Sequence, residues 1–408
     1  MRAPATSVII VSRERPDALV RCLIGVSQLD HPDYEVIVVA DPAGLNAIAT
    51  LPFAAQLKQI AFDKANISEA RNLGLGAAAG DIVAFIDDDA VPEPSWLSRL
   101  AAPFLESDVA AAGGYVRGRN GISFQWRANS VDSAGRLRPL QVPSRNSVIF
   151  SPQGAQAIKT EGTNCAFRRD ILANLGGFDP VFRYYFDDTD VNMRLAIEGY
   201  STEIVPLAQV HHAYAASACR TAERAPKTLF EVGRSTALFQ RKYADPFDAD
   251  MAWRVEVIEQ RKRLLRHLQR GTLEPHSVRR LMKTLTDGYE EGKHLALQKP
   301  KPIPASKEPM RKFVAAPYRH KALAGRFWSR RRLREEAAKL VQQGYRVTLV
   351  LLSPTTLYHR VRFTNEGFWE QSGGVFGRSG RDQPLFQPYN FKSRARDEIS
   401  RSNLFREL

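Results

Sequence analysis

Residues 82–89 read Ile-Val-Ala-Phe-Ile-Asp-Asp-Asp, a β-branched and aromatic run that ends in three consecutive carboxylates. Gly80 precedes the run and Pro92 follows it, so it reads as a short buried strand, Ile82 to Ile86, carrying acids at its carboxyl end. Adjacent carboxylates repel one another, and gathering Asp87, Asp88 and Asp89 in a partly desolvated place makes sense when a cation shares the charge. Oxygen ligands of this hardness point to Mg²⁺ or Mn²⁺, which complete their shells with water and substrate phosphates, so a phosphate-bearing substrate is implied. A solvated acidic loop, or an Asp cap for the segment beginning near Ser95, accounts for the triplet alone equally well.

The preceding chain supplies the context. SVIIVS at 7–12 is a continuous apolar run suited to a central parallel strand, and a polar turn with Pro16 leads into a helical pattern from Ala18 to about Leu29. EVIVVA at 35–40 is a second buried strand. A helix follows between Asn66 and Gly80, with Ser68 as its expected N-cap and Gly80 as its stop, and Ile82 to Ile86 is then the third strand. Strands alternating with helices predict a parallel sheet with ligands at the carboxyl ends of the strands, where Asp87 to Asp89 lie. Gly74, Gly76 and Gly80 are not a dinucleotide fingerprint, because they fall within and after a helix rather than between a strand and a helix start.

Further on, the run from Ala110 to Ser151 holds only short β-like pieces between polar turns. A second acid cluster, Asp187, Asp188 and Asp190, opens an amphipathic helix that stops at Gly199. Capping by Asp187 or Asp188 and an (i, i+4) pair of Asp190 with Arg194 account for two of these acids more readily than for three. Ser201 to Val210 reads as another strand, ending in His211-His212. A lone His is more often structural than a ligand, but a strand end is where ligands collect.

Charge divides the chain: residues 1–250 carry a net charge of −4 and residues 251–408 carry +18. A block this basic suits nucleic acid, an anionic membrane or an acidic polymer, or is merely a solvated helical surface. It reads as helical from Met251 to Tyr345, broken by Lys299-Pro300-Lys301-Pro302-Ile303-Pro304, a stiff linker. Arg330 to Gln343 and Arg346 to Leu352 form one helix–strand unit with too little chain after it for a full sheet. Cys22, Cys165 and Cys219 are odd in number and widely spaced, suggesting neither disulfides nor a zinc site. No stretch reaches the ~18 apolar residues of a spanning helix, and residues 1–7 lack signal-peptide character, so a cytoplasmic protein is expected.

SVIIVSRERP, EVIVVAD, NISEARNLGLGAAAGDIVAFIDDD, GTNCAFRRDIL, GGFDPVF and FDDTDVNMRLAIEGY, in this order over residues 7–217, resemble the inverting family 2 glycosyltransferases. The resemblance implies an α/β GT-A-type nucleotide-diphospho-sugar transferase fold, with a central, mostly parallel sheet flanked by helices. A basic, mainly helical C-terminal extension follows it. The expected divisions are 1–235 for the transferase domain, 236–298 for the helical extension, 299–329 for the linker and 330–408 for a small αβ segment and tail.

The same resemblance assigns roles. Asp87 and Asp89 match the DxD motif that meets the ribose and holds the Mn²⁺ or Mg²⁺ bridging the diphosphate, and His212, less readily His211, joins the metal side. Ser12, Arg15, Asp41, Arg71, Asp87 and Asp88 fall on the nucleotide-sugar side. Asp188 matches the general base, with Asp187 where the family carries Glu, and Thr163 and Asn164 fall on the acceptor side. The second strand ends in Ala40-Asp41, where the family usually has an acid pair, so Asp41 would recognise the nucleoside alone.

These roles imply a metal-dependent enzyme that moves a sugar from a nucleotide-sugar donor to a carbohydrate or lipid-linked hydroxyl acceptor, in cell-surface polysaccharide or glycolipid synthesis. The basic block then suits peripheral attachment to the anionic inner face of the cell membrane, and no nucleic-acid partner is expected. The alternatives are a catalytically inactive scaffold that uses the basic block, and a sugar nucleotidyltransferase. The chain lacks the Gly-rich, Arg- and Lys-bearing loop after the first strand that the second of these needs.

Overall fold

The computed structural model describes residues 3–406 apart from 155, 214–219, 222, 316 and 317, so Cys219 lies outside the described residues. The apolar runs of the first half become strands β1 (Thr6–Ser12), β2 (Tyr34–Ala40), β3 (Lys58–Ala61), β4 (Ile82–Asp87), β5 (Ala90–Pro92), β6 (Ala111–Arg117) and β7 (Phe124–Trp126). After these come β8 (Asn129–Asp132), β9 (Leu137–Pro139), β10 (Val148–Phe150), β11 (Gln156–Lys159), β12 (Cys165–Arg168) and β13 (Thr202–His212). The main sheet runs in the order β10-β13-β6-β12-β4-β1-β2-β3, with β5 added to β13 and β7 to β6.

β1 lies parallel between β2 and β4, which is why all three sequences are apolar almost without interruption. Their alternate residues feed two cores: Val8, Ile10, Val36, Val38 and Ile86 on one face, and Ile9, Ile37, Val39, Val83 and Phe85 on the other. The short antiparallel β12 sits between β4 and β6. β3 makes β4 the fourth strand in chain order rather than the third. The helix before β4 spans Ile67–Ala77, capped by Asn66, whose side chain accepts from Glu69 N, while the expected cap Ser68 instead donates to Phe182 O at 2.6 Å.

The helical extension is not a separate appendage. Its first helix, Phe230–Tyr243, runs through the expected boundary at 235. It crosses the Pro275–His294 helix so closely that a Cβ on Gly233 would meet Leu285 O at 2.0 Å and one on Gly288 would meet Phe230 O at 2.0 Å. The 24-residue helix Pro246–Gln269 joins this pair, with Trp253 stacked on Tyr289 at 3.6 Å.

Two expectations about the basic half are overturned. The last segment builds a four-stranded sheet, ordered β14 (Arg319–Arg326), β15 (Tyr345–Ser353), β17 (Trp369–Gly374), β16 (Arg360–Phe363). It is flanked by helices Arg330–Gln342 and Phe391–Arg406, so β14 lies inside the stretch read as linker. The Pro-rich run reads as a stiff linker because proline content alone does not tell a free spacer from an extended strap. Here it is a strap: Ile303 N donates to Ala173 O, Arg311 N to Glu35 Oε2 and Phe313 N to Tyr34 O. Phe313 is buried, stacked on Tyr34 at 5.3 Å and edge-on to Phe53 at 5.5 Å. Phe313→Ala should therefore cost about 3–5 kcal/mol of unfolding free energy in denaturant titration, whereas a free linker would lose almost none.

Candidate active site

β4 and β13 deliver the acid triplet and the histidines to one place. Asp87 is the last residue of β4, and a two-residue turn leads from it into β5, which pairs antiparallel with β13 so that Ala90 faces His212. The Asp87, Asp89 and His212 donor atoms lie within 4.8 Å of one another, with His212 Nε2 2.9 Å from Asp89 Oδ1. Two hard carboxylates and an imidazole form a donor set suited to Mn²⁺ or Mg²⁺. Gln125 and Trp126 of β7 hold the other side of the His212 ring, with Gln125 Oε1 3.1 Å from Nδ1. His211 points the opposite way, as alternation along a strand requires, and meets Glu93 Oε1 at 2.8 Å. His212 is the histidine that faces the acids.

Asp88 is more than a spacer. It is buried, accepts from Ser12 Oγ at 2.7 Å and pairs with Arg15 at 3.0 Å. Arg15 also reaches Asp89 at 3.2 Å. Burial lifts the Asp88 carboxyl to about 7, against the opposing pull of Arg15. Asp41 faces inward on the neighbouring loop: Oδ1 accepts from Gly44 N and Oδ2 from Glu14 N, each at 2.9 Å. The second bond holds Glu14 at φ 60, so Asp41 shapes the loop that carries Arg15.

Across the cavity, the helix Asp187–Ile197 starts from two aromatic residues in the left-handed region, Tyr185 (φ 71) and Phe186 (φ 68). Such backbone persists only where packing over-determines it, and Phe186 stacks on Phe239 of the helical extension at 4.7 Å. Neither acid caps this helix through its side chain. Asp187 is paired with Arg71, which also reaches Asp87 at 3.1 Å and Gly162 O at 3.1 Å. Burial lifts Asp187 to about 6, with Arg71 opposing. Asp188 accepts from Gly162 N at 2.9 Å and Thr189 Oγ1 at 3.0 Å and pairs with Lys159 at 3.2 Å. Burial works against its charge, but Lys159 and the Gly162 N–H outweigh it and hold the carboxyl below its ordinary range. Asp190 pairs with Arg194 at 2.8 Å as expected, and Lys242 and Tyr243 of the extension bind it too.

A cavity of 440 Å³ separates the two sides, lined by Arg71, Asp87, Trp126, Lys159, Glu161 and Asp188 among others. A second, of 550 Å³, adjoins Ser12, Arg15, Phe62, Asn66 and Arg183, and Tyr184 borders both. Thr163 borders the first cavity, and its buried hydroxyl has no hydrogen-bond partner among the described residues. Asn164 does not belong on an acceptor surface. Fully buried, it donates to Tyr115 O and Ala208 O and accepts from Trp96 Nε1, which uses its amide to bind β6 to β13.

Lys159 and Glu161 were not foreseen. Lys159 Nζ bridges Asp188 Oδ2 and Glu161 Oε2, at 3.2 and 3.3 Å. Their spacing of two at a strand end, which sends both side chains the same way, was the available signal.

A mostly parallel sheet flanked by helices, with acids at its strand ends, is a GT-A-type fold. A family model described as "Glycosyltransferase like family 2" matches residues 4–234, more than half of the chain, and the chain belongs to that family. Similar proteins include O-antigen biosynthesis protein RfbC of Myxococcus xanthus, 26% identical over 247 residues, which are 55% of this chain and 18% of that protein. Another is pre-mycofactocin glycosyltransferase of Mycobacterium tuberculosis, 30% identical over 148 residues, 35% of this chain and 29% of that protein. The chain thus spans less than a third of either relative. Among solved structures, mannosyltransferase PcManGT of Pyrobaculum calidifontis with GDP-Man and Mn²⁺ is 18% identical, with a TM-score of 0.43 over 71% of this chain and 87% of that one. GalNAc-T7 with UDP, GalNAc and Mn²⁺ is 16% identical, with a TM-score of 0.45 over 58% and 48%.

Glu161 gives a test of the electrostatics. Burial lifts it to about 7, with Lys159 opposing and Asp188 adding to the lift. Between the unfolded value near 4.5 and about 7, the folded state holds a proton that the unfolded chain releases, so stability falls as pH rises through this window. Glu161→Gln removes that loss. Relative to wild type, it should gain about 2–3 kcal/mol between pH 5 and pH 8 in denaturant titrations. Parallel stability curves would mean that Glu161 ionises normally.

Proposed function

We propose that the chain is a metal-dependent inverting glycosyltransferase that moves a sugar from a nucleoside-diphosphate donor to an acceptor hydroxyl. The observation that carries this reading is that Asp87, clustered with Asp89 and His212, shares one cavity with Asp188. Mn²⁺ or Mg²⁺ bound by Asp87, Asp89 and His212 would neutralise charge on the departing diphosphate. Arg15 and Arg71 hold Asp88, Asp89 and Asp87 in place and add positive charge on that wall. Ser12 fixes Asp88, and the 550 Å³ cavity beside Ser12 and Arg15 receives the nucleoside.

Asp188 takes the acceptor proton as the acceptor oxygen attacks the anomeric carbon from the face opposite the diphosphate. Its lowered pKa keeps it in the basic form, and Gly162 N and Lys159 fix its orientation. Asp187 positions Arg71 and is not the base. Thr163 offers the acceptor a hydrogen-bonding hydroxyl. Asp188→Asn should lower turnover by about 10²–10⁴-fold while donor nucleotide binding is retained. Failure of wild type with Mn²⁺ to transfer or hydrolyse sugar from any of a panel of nucleotide sugars would refute the activity.

The acceptor is carbohydrate or lipid-linked, as in cell-surface polysaccharide or glycolipid synthesis, and it is met at an anionic membrane surface. On the helix Pro246–Gln269, Phe247, Met251, Val255, Ile258 and Leu265 form one exposed stripe beside Arg254, Arg261 and Lys262. Gln260 and Arg263 of the same helix border the 440 Å³ cavity. The protein should sediment with phosphatidylglycerol vesicles at low salt and lose this with Val255→Glu/Ile258→Glu. Concentration-dependent dimerisation through the stripe, without sedimentation, would refute the membrane role.

A further inference from the structure

The C-terminal sheet lies outside the family match, yet it grips the residues next to the cation triad. Glu93, one residue past β5, is fully buried and accepts two hydrogen bonds from Arg406, Nε at 2.8 Å and Nη2 at 2.9 Å. His211 Nε2 lies 2.8 Å from the same carboxylate. Arg406 is the last residue of the helix Phe391–Arg406. It also donates to Thr348 Oγ1 of β15 and lies 4.4 Å over the Trp369 ring of β17, and that ring packs against His211 at 4.6 Å. The Arg406, Trp369 and His211 side chains therefore stack around one buried carboxylate.

The position of this cluster matters for the triad. Asp89 and Glu93 bracket β5, while His211 and His212 end β13, and β5 and β13 pair in a fixed register. Ala213 N donates to Asp89 O and Glu93 N to Gln209 O, so both ends of the short ladder are tied. A three-residue strand has little pairing energy of its own, and its placement depends on what holds its flanks. A buried guanidinium–carboxylate pair, bidentate and planar, fixes such a register more narrowly than apolar contact does.

We infer that Arg406, through Glu93 and His211, is a positioning residue that sets the separation of Asp89 and His212, making the C-terminal module part of the cation site's support. This rests on the reading of Asp87, Asp89 and His212 as that site. Groups hydrogen-bonded to metal ligands typically change metal affinity by about 10–100-fold when lost, and Arg406, which acts through the backbone beside two of the ligands, belongs at the low end of that range.

The test is calorimetric titration of Mn²⁺ into the full chain, with melting temperature recorded for each variant. Arg406→Gln should raise the Mn²⁺ dissociation constant about tenfold. Arg406→Lys, which keeps the charge but not the two-pronged contact, should fall between it and wild type. Gln28→Ala removes a docking bond of the same module, Gln28 Nε2 to Gly367 O at 2.8 Å, away from the triad. It should leave Mn²⁺ affinity unchanged. If Arg406→Gln does not fold, Arg406→Lys against Gln28→Ala gives the same comparison. Unchanged affinity in the folded Arg406 variants, or an equal loss in Gln28→Ala, would overturn the inference alone. Wild type that binds no Mn²⁺ would overturn the cation site and this inference with it.

Discussion

The site's organisation depends on how its concentrated carboxylates are kept from forcing one another apart. Asp87, Asp88, Asp89, Glu161, Asp187 and Asp188 gather around the 440 Å³ cavity and the turn beside it. Arg71, Arg15 and Lys159 are threaded among them, each shared between two acids. The compensation is incomplete: Asp88, Asp187 and Glu161 are all pushed upward by burial, while Asp188, beside Lys159, is held below its ordinary range. Buried carboxylates pushed upward in one place are what a divalent cation relieves. Among these acids, Asp188 pairs with Lys159 and accepts a backbone N–H from Gly162.

That arrangement has to be held against its own strain, and the segments that follow the acid-bearing helix and β13 do much of this. Tyr185 and Phe186 enter the acid-bearing helix with positive φ, and the ring of Phe239 in the extension holds Phe186 there. Lys242 and Tyr243 secure Asp190 on the same helix. The strap at 299–315 seals Tyr34 and Glu35 of β2 from outside, and the C-terminal sheet clasps the far side through Glu93. The +18 charge of residues 251–408 is thus partly internal wiring, with Arg406 paired to Glu93 and Arg346 to Asp30, and partly exposed along the Pro246–Gln269 helix.

The fold of the first half was legible in the sequence because buried parallel strands must be apolar on both faces, so β1, β2 and β4 announce themselves. β3, an edge strand of four residues with a partly exposed pattern, carries no such mark. Ser68 was the expected cap, but its hydroxyl is drawn into a tertiary bond to Phe182 O and Asn66 caps the helix instead. The acid triplet, the second acid cluster and the histidines at a strand end stood out in the sequence as residue types that are costly to bury without a task, whereas Arg71 came only from the family resemblance. Asn164 misled for the converse reason: a buried amide satisfied by three core partners looks, in sequence, like a polar group awaiting a ligand. The four-stranded C-terminal sheet was missed because β16 is only four residues long and β17 is polar and ends in two glycines, and both take their apolar cover from Val91 and Ile24 far away in sequence.

The central claim is that the triad exists to hold a cation against a diphosphate. Calorimetric titration of UDP and GDP, with and without Mn²⁺, into wild type and Asp89→Ala tests it most directly. The account expects one of the nucleotides to bind wild type tightly only when Mn²⁺ is present, and that increment to vanish in Asp89→Ala. Equal binding with and without Mn²⁺, or a metal-dependent increment that survives in Asp89→Ala, would contradict it.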